Sequence, residues 1–365
     1  MKKIIMSVLL CTCWMSTTSW ARMIHWQADV PSSLDLFQGQ AHALADLAAD
    51  RIVIFAHPTQ HIRLPTMGTR QSKIGQYQSA AVVVPTNSKN VARLLSNYSN
   101  YAGLFPTLKS AEVVEQHGNL SQVRYKIHIP TPIPVLNFKE SVLMQHQLQG
   151  NSLTSLILEA PVPFGAGKIE WFELDKNHTL ITITQWGDLD QPKGFLFSKI
   201  LKALPDAKLG IPAGTNGFLL ESLQRRFKAF SSETLAAGQL PKLQLNRNQL
   251  EKISQLSQRS QAPVSFILPA QRVPYGQNYE LMRFSSSYQY YSQNPSKLQH
   301  WIAAPAFQKL FPRQVKEMQI TKLNAKTIDA DYKISVGLGV INIPFDFKMR
   351  FDYPDLLQNQ YTATG

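Results

Sequence analysis

The sequence predicts an α+β protein in which one unit, a curved antiparallel sheet wrapped on a C-terminal helix, occurs twice, the second time incompletely. Three observations predict it. Short motifs recur in the same order at nearly constant spacing. Between them lie alternating apolar and polar segments separated by turn residues, the pattern of half-buried strands. The first copy then ends in a helical region whose last part carries an apolar stripe.

The repeat organises the chain. Asn87 to Ser96 resembles Asn294 to Ala303: both open on Asn, and Val91, Leu94 and Leu95 correspond to Leu298, Trp301 and Ile302. Leu104-Phe105-Pro106 recurs as Leu310-Phe311-Pro312, Tyr125-Lys126-Ile127 as Tyr332-Lys333-Ile334, and Phe138 as Phe345. Upstream, Pro58 and Gln60 match Pro269 and Gln271, with a few residues of drift. Unit one spans 50–230, a polar linker with a short helix spans 231–261, and a partial unit two spans 262–365. By comparison with unit one, unit two lacks about three strands and the closing helix. A half sheet without its helix would expose much apolar surface, which favours a truncated sequence.

Residues 1–21 read as a cleaved signal peptide. Lys2 and Lys3 precede a short apolar run, and Ser19-Trp20-Ala21 offers small residues where a signal peptidase cuts. A membrane anchor needs about 20 apolar residues, and Thr12 and Ser16 to Ser19 interrupt this run. Lipid attachment at Cys11 or Cys13 fits poorly, because bulky Leu10 or a very short run precedes them. An exported, periplasmic protein is expected. Both cysteines lie in the leader, so disulfides, thiolate catalysis and cysteine metal sites are excluded.

The elements of unit one follow in order. Ala41 to Ala49 suits a helix and Arg51 to Ala56 a strand. Ala80 to Val84 is a strand ended by Pro85, after which Asn87 or Ser88 caps a helix through Ser96. A second short helix reaches Pro106. Six extended segments come next: 111–116, 123–129, 137–148, 153–159, 168–174 and 180–186. Gly118-Asn119, Gly150-Asn151 and Asp175 to Asn177 supply their turns. The region 194–230 is helical but broken by Pro205, Gly210, Pro212 and Gly214. Its last part aligns Leu220, Leu223, Phe227 and Phe230. In the linker, Leu250, Ile253 and Leu256 share a helix face, with Leu243 two turns earlier.

The run Ser79 to Pro85, the capped helix, Tyr98-Ser-Asn-Tyr101 and Leu104-Phe-Pro106 resemble the opening of START-like helix-grip domains. The polyketide cyclase and coenzyme Q-binding branch is the closest in pattern. Trp171 to Thr179 resembles that family's later hairpin. The resemblance covers about 78–230, and more weakly 286–351, and it carries no catalytic signature. It implies an apolar pocket between sheet and helix. The broken region after Gly194 and the incomplete second unit depart from the family pattern.

In an antiparallel meander the turns 130–136 and 161–167 fall at the same end, joined there by the exit after Trp186. Both are apolar and rich in proline. The resemblance implies a gate over the pocket mouth, formed by Ile133, Val135, Leu136, Val162 and Phe164; ordinary packing on the broken helix near Ile211 is the alternative. Tyr125, Ile127, Phe138 and Val142 alternate onto the face that meets the helix. With Trp186, Leu220, Leu223 and Phe227 they complete the candidate ligand-binding set, although any one of them could be plain core.

Chemical motifs are few. His57 and His61 have Pro58 between them and no third ligand nearby, so no metal is expected. Gly165 to Lys168 precedes a strand rather than a helix, and Gly337-Leu-Gly339 sits in a hairpin, so no nucleotide cofactor is expected. Glu140 shares its side with Phe138 and Val142, and an inward carboxylate could serve as a general base. A formal net charge of +13 favours anionic partners. Anionic lipid suits an exported protein better than nucleic acid does. The leading expectation is a periplasmic binding or carrier protein for a lipid, quinone or other apolar molecule. A cyclase or aromatase-type enzyme using Glu140 and a non-catalytic envelope interaction protein are the alternatives.

Overall fold

The structure is a computed structural model. It describes residues 23–69, 71–129, 138–193, 197–198, 201–202, 207–228, 232–237, 239–303, 305–312, 315–338, 341–353 and 360–363. The leader and the 130–136 turn lie outside these residues.

Helix α1 (Ala41–Ala48) precedes copy one, which contains β1 (Ile52–Ala56), β2 (Gln60–Ile62), β3 (Lys73–Gly75), β4 (Gln78–Val84), α2 (Ser88–Leu95) and α3 (Tyr101–Leu104). The meander β5 (Leu108–His117), β6 (Leu120–Ile129), β7 (Phe138–Gln149), β8 (Ser152–Glu159), β9 (Gly165–Glu173) and β10 (Thr179–Gly187) follows, and then α4 (Ala207–Phe227). The linker holds α5 (Arg247–Ser260). Copy two contains β11 (Val264–Ile267), β12 (Gln271–Tyr275), β13 (Asn278–Met282), β14 (Ser285–Tyr288), α6 (Pro295–Ile302), α7 (Ala306–Leu310) and β15 (Val315–Lys322). It continues with β16 (Thr327–Leu338), β17 (Ile341–Asp352) and β18 (Gln360–Ala363).

Strand register confirms the duplication more sharply than the motifs do. Phe55 pairs with Ser79, and their counterparts Phe266 and Ser286 pair likewise. Gln60 faces Gly75 as Gln271 faces Met282, and Ala111 faces Tyr125 as Met318 faces Tyr332. One motif match is corrected. Ile129 pairs with Phe138 while Val336 pairs with Ile343, so Ile343, not Phe345, is the counterpart of Phe138. The β16–β17 turn is shorter than the β6–β7 turn, and the constant offset breaks there.

The two copies share a sheet. Ten strands run in the order β14-β11-β1-β4-β10-β9-β8-β7-β6-β5, so the first strands of copy two extend copy one. At the junction Ile54 pairs with Ser265, its own counterpart in the repeat, which makes the β1–β11 pairing locally two-fold. Strands β15 to β18 form a separate four-stranded sheet.

Alternation divides the large sheet into two faces. Ile54, Val82, Tyr125, Leu153, Trp171 and Ile181 face α2, α3 and α4. Val53, Phe55, Ala81, Leu180 and Phe266 face α1 and α5. The outer face also carries the segment before α1. Gln145 exchanges two hydrogen bonds with the backbone of Ile24, Lys168 donates to the Val30 carbonyl, and the buried Glu170 carboxylate accepts from Ser32 Oγ and Ser33 N.

Local chemistry explains the ends of these elements. Asn87 Oδ1 accepts from Asn90 N and starts α2, and the counterpart Asn294 caps α6. Gly118 and Gly150 turn the hairpins at φ of 58° each, where a Cβ would be strained. Two sequence expectations need correction. Helix α4 is continuous through Gly210, Pro212 and Gly214. Its Gly217 sits so close to β1 and β11 that a Cβ would strike Ile267 and Ile54, so tertiary packing outweighs local propensity here. In α5 the buried positions are Gln249, Ile253, Leu256, Ser257 and Ser260, and Leu250 is exposed. No described helix is long and apolar enough to cross a membrane.

Candidate functional site in the interior of copy one

The concave face is lined by α2, α3 and the turn before it on one side and by α4 on the other. Helix α4 lies across β1, β4 and β10, and α3 lies against β5. Leu220 and Leu223 are fully buried there, and Phe227 packs partly buried in the same cluster as Tyr125. Val142 is buried opposite Tyr125; Glu140 is half-buried opposite Ile127. Phe138 begins β7, but its side chain, like Ile133, Val135 and Leu136, lies outside the described residues.

Phe164 and Trp186 belong elsewhere. They pack on the outer face with Ile62, Leu64 and Tyr77, because Trp186 shares parity with Thr182 and Thr184 rather than with Ile181 and Ile183. The 161–164 turn does meet the exit from β10, since Asp188 N donates to Phe164 O. A cleft of about 420 Å³ lies outside the grip, between the end of α4 and the linker, lined by Asp50, Arg51, Lys228 and Glu233 among others.

At the centre of the concave face stands a polar chain within aromatic walls. Tyr125 Oη lies 2.7 Å from His146 Nε2, and His146 Nδ1 lies 2.8 Å from Ser155 Oγ. The Tyr98 ring stacks on the imidazole at 4.9 Å. Tyr101 stacks on Tyr125 at 6.2 Å and donates to Leu95 O. Burial holds the His146 pKa down to about 3, so the ring is neutral at ordinary pH. Burial also raises Tyr125 and Tyr101 above the usual phenol range.

Hydrogen counting sets what this chain of groups can do. A tyrosine, a neutral histidine and a serine carry three polar hydrogens for two bonds among them. If Tyr125 donates to Nε2, then Nδ1–H donates to Ser155 and the serine hydrogen is left over. In the other tautomer Tyr125 keeps the spare hydrogen. Either end can therefore offer a neutral donor to a carbonyl or hydroxyl oxygen, and the tautomer selects which.

Copy two is an internal control. Tyr332 is retained at the position of Tyr125, but Val142 becomes Phe347 and His146 becomes Phe351. Phe347 and Phe351 pack there with Tyr332, Ile328 and Met349. The His146 and Ser155 pair was legible in principle, since His146 alternates with Val142 and Met144, and Ser155 with Leu153.

A second buried histidine lies on the outer face. His57 Nε2 is 2.8 Å from Ser79 Oγ, which is 2.6 Å from Thr184 Oγ1. Burial, then the nearby Lys168 charge, lowers its pKa to about 4. His61 is exposed, and no described group of three or more potential ligands is placed to hold a metal.

The order of elements now decides the fold: a first strand, two short helices, an antiparallel meander that returns to pair β10 with β4, and a long helix across the sheet. The arrangement is a helix grip, an antiparallel sheet closed by a long helix, with elements repeated in tandem. No family model and no curated protein matches the sequence. Among solved structures, the chain is similar to Zhui aromatase/cyclase from Streptomyces sp. R1128, at 20% identity over 41% of this chain and 94% of that one, with a TM-score of 0.31. A START superfamily protein from Mycobacterium smegmatis is 17% identical over 42% and 97%, with a TM-score of 0.33. The di-domain ARO/CYC BexL from the BE-7585A biosynthetic pathway is 10% identical over 79% of this chain and 75% of that one, with a TM-score of 0.31.

Proposed function

We propose that the protein is an exported, periplasmic carrier that holds an apolar small molecule, a lipid, quinone or similar, in the helix grip of copy one. The observation that carries this reading is the Tyr125–His146–Ser155 chain, buried among the rings of Tyr98 and Tyr101. Burying a polar group is unfavourable unless it is hydrogen-bonded, and leaving one partner unmade costs roughly 1–3 kcal/mol. Copy two carries Phe351 at the same place, so the pairing of these two strands does not require the histidine. A neutral donor among aromatic rings suits a ligand with a long apolar body and one carbonyl or hydroxyl group. The excess of positive charge and the leader-like N-terminus support delivery at an anionic envelope membrane.

The test is native mass spectrometry and solvent extraction of protein purified without detergent from the periplasm. The expected result is a stoichiometric apolar adduct on the wild type and its depletion in His146→Phe, which restores the copy-two residue. An adduct-free wild type that also fails to take up quinone or fatty acyl probes contradicts the proposal.

A further inference from the structure

We propose that the interior of copy one takes a neutral ligand with two polar groups: an oxygen that accepts beside Ser155 and a donor, such as a hydroxyl, that meets Asn216. The inference rests on the carrier reading and narrows its substrate class.

Strand register sets the inward polar residues in one line across the sheet. His146 pairs with Ser121 on one side and with Ser155 on the other. Ser155 pairs with Gly167, Gly167 with Gln185, and Gln185 with Gln78. Paired residues share a face, so these residues form a single row on the concave side. The next concave row, two residues along each strand, is apolar: Leu148, Leu153, Ile169, Ile183, Ala80 and Ile54. Copy two shows that the register does not require polar residues here, since Ile328 pairs with Phe351 where Ser121 pairs with His146.

Helix α4 closes over the far end of the row. Asn216 lies one turn before Leu220 on the same stripe and is fully buried. Its Nδ2 donates to Gln78 O at 2.8 Å, which fixes the amide, because the reversed amide would set oxygen against oxygen. Oδ1 is left buried, with no hydrogen-bond partner among the described residues. A buried acceptor left unmade is unfavourable, and a ligand hydroxyl or amide N–H is the complement it lacks. Strands β9 and β10 separate Ser155 on β8 from Gln78 on β4, so the two contacts lie roughly 14 Å apart, three inter-strand spacings. Gly167, next to Ser155, leaves the path between them free of a side chain at that strand. The row holds no lysine or arginine, and burial keeps His146 uncharged. A carboxylate placed along it would be buried without a counter-charge.

The test is calorimetric titration of the full chain at about pH 8 with probes of one chain length: dodecanediol with a hydroxyl at each end, dodecanol, and dodecanoate. The wild type is expected to bind the diol at least as tightly as dodecanol, although the diol is the less apolar, and to bind dodecanoate at least about tenfold more weakly. Asn216→Leu is expected to lower the affinity for the diol relative to dodecanol by about tenfold. The wild-type comparison does not depend on how that variant folds. A wild type that prefers dodecanol to the diol, an unchanged ratio in Asn216→Leu, or dodecanoate bound as tightly as dodecanol would each overturn the inference and leave the carrier reading standing. Binding of none of the probes would overturn both.

Discussion

His146 and His57 are both neutral in the folded protein, with pKa values near 3 and 4, against about 6.5 in an unfolded chain. The unfolded chain therefore binds more protons below that value. Stability is fully present above about pH 6.5 and falls as the pH drops toward these folded values, at up to about 1.4 kcal/mol per pH unit for each histidine. His146→Phe is expected to lose about half of the slope between pH 6 and 4.5, read from urea midpoints. A slope equal to the wild type would mean that His146 is not neutral and buried. Nearby, Leu223→Ala removes a fully buried side chain from under α4 and is expected to cost about 2–5 kcal/mol in the same assay.

The secondary elements show how far alternation can be read. Strands β6 to β10 were legible because one face of each is largely apolar and glycine or asparagine marks most of the turns. Helix α4 was not read as one element, because Gly210, Pro212 and Gly214 signal a break that the sheet beneath overrides. Gly217 contributes through the side chain it lacks. Gly217→Ala would push α4 off Ile267 and Ile54 and is expected to destabilise by roughly 1–3 kcal/mol, despite a better helix propensity. A stabilised variant would contradict that close approach. The segment before α1 depends on a few polar contacts on the outer face. Glu170→Ala removes the acceptor of Ser32 and Ser33, and faster amide exchange confined to residues 24–37 is expected. Uniform exchange changes would count against a locally fastened segment.

For the whole molecule, the site was half legible. Tyr125, Leu220, Leu223 and Phe227 were read from parity and stripe, and the structure brings them into one cluster. Trp186 was misplaced, although its parity with Leu180, Thr182 and Thr184 already sets it opposite Ile181 and Ile183. The joining of the copies was hidden as well. All five residues of β1 are buried, and such a run gives no alternation to show which strand lies beside it. The local two-fold at Ile54 has a consequence. A chain ending at residue 230 loses β11, and the bared β1 edge is expected to pair with itself in a second molecule. Light scattering should find a dimer; a stable monomer would contradict the symmetry.

The most direct test of the carrier account is a crystal structure of the protein taken from the periplasm without detergent. The account predicts elongated density between α4 and strands β6 to β8, with a polar end in hydrogen-bonding reach of Tyr125 or Ser155. An interior filled throughout by the protein's own side chains would contradict it.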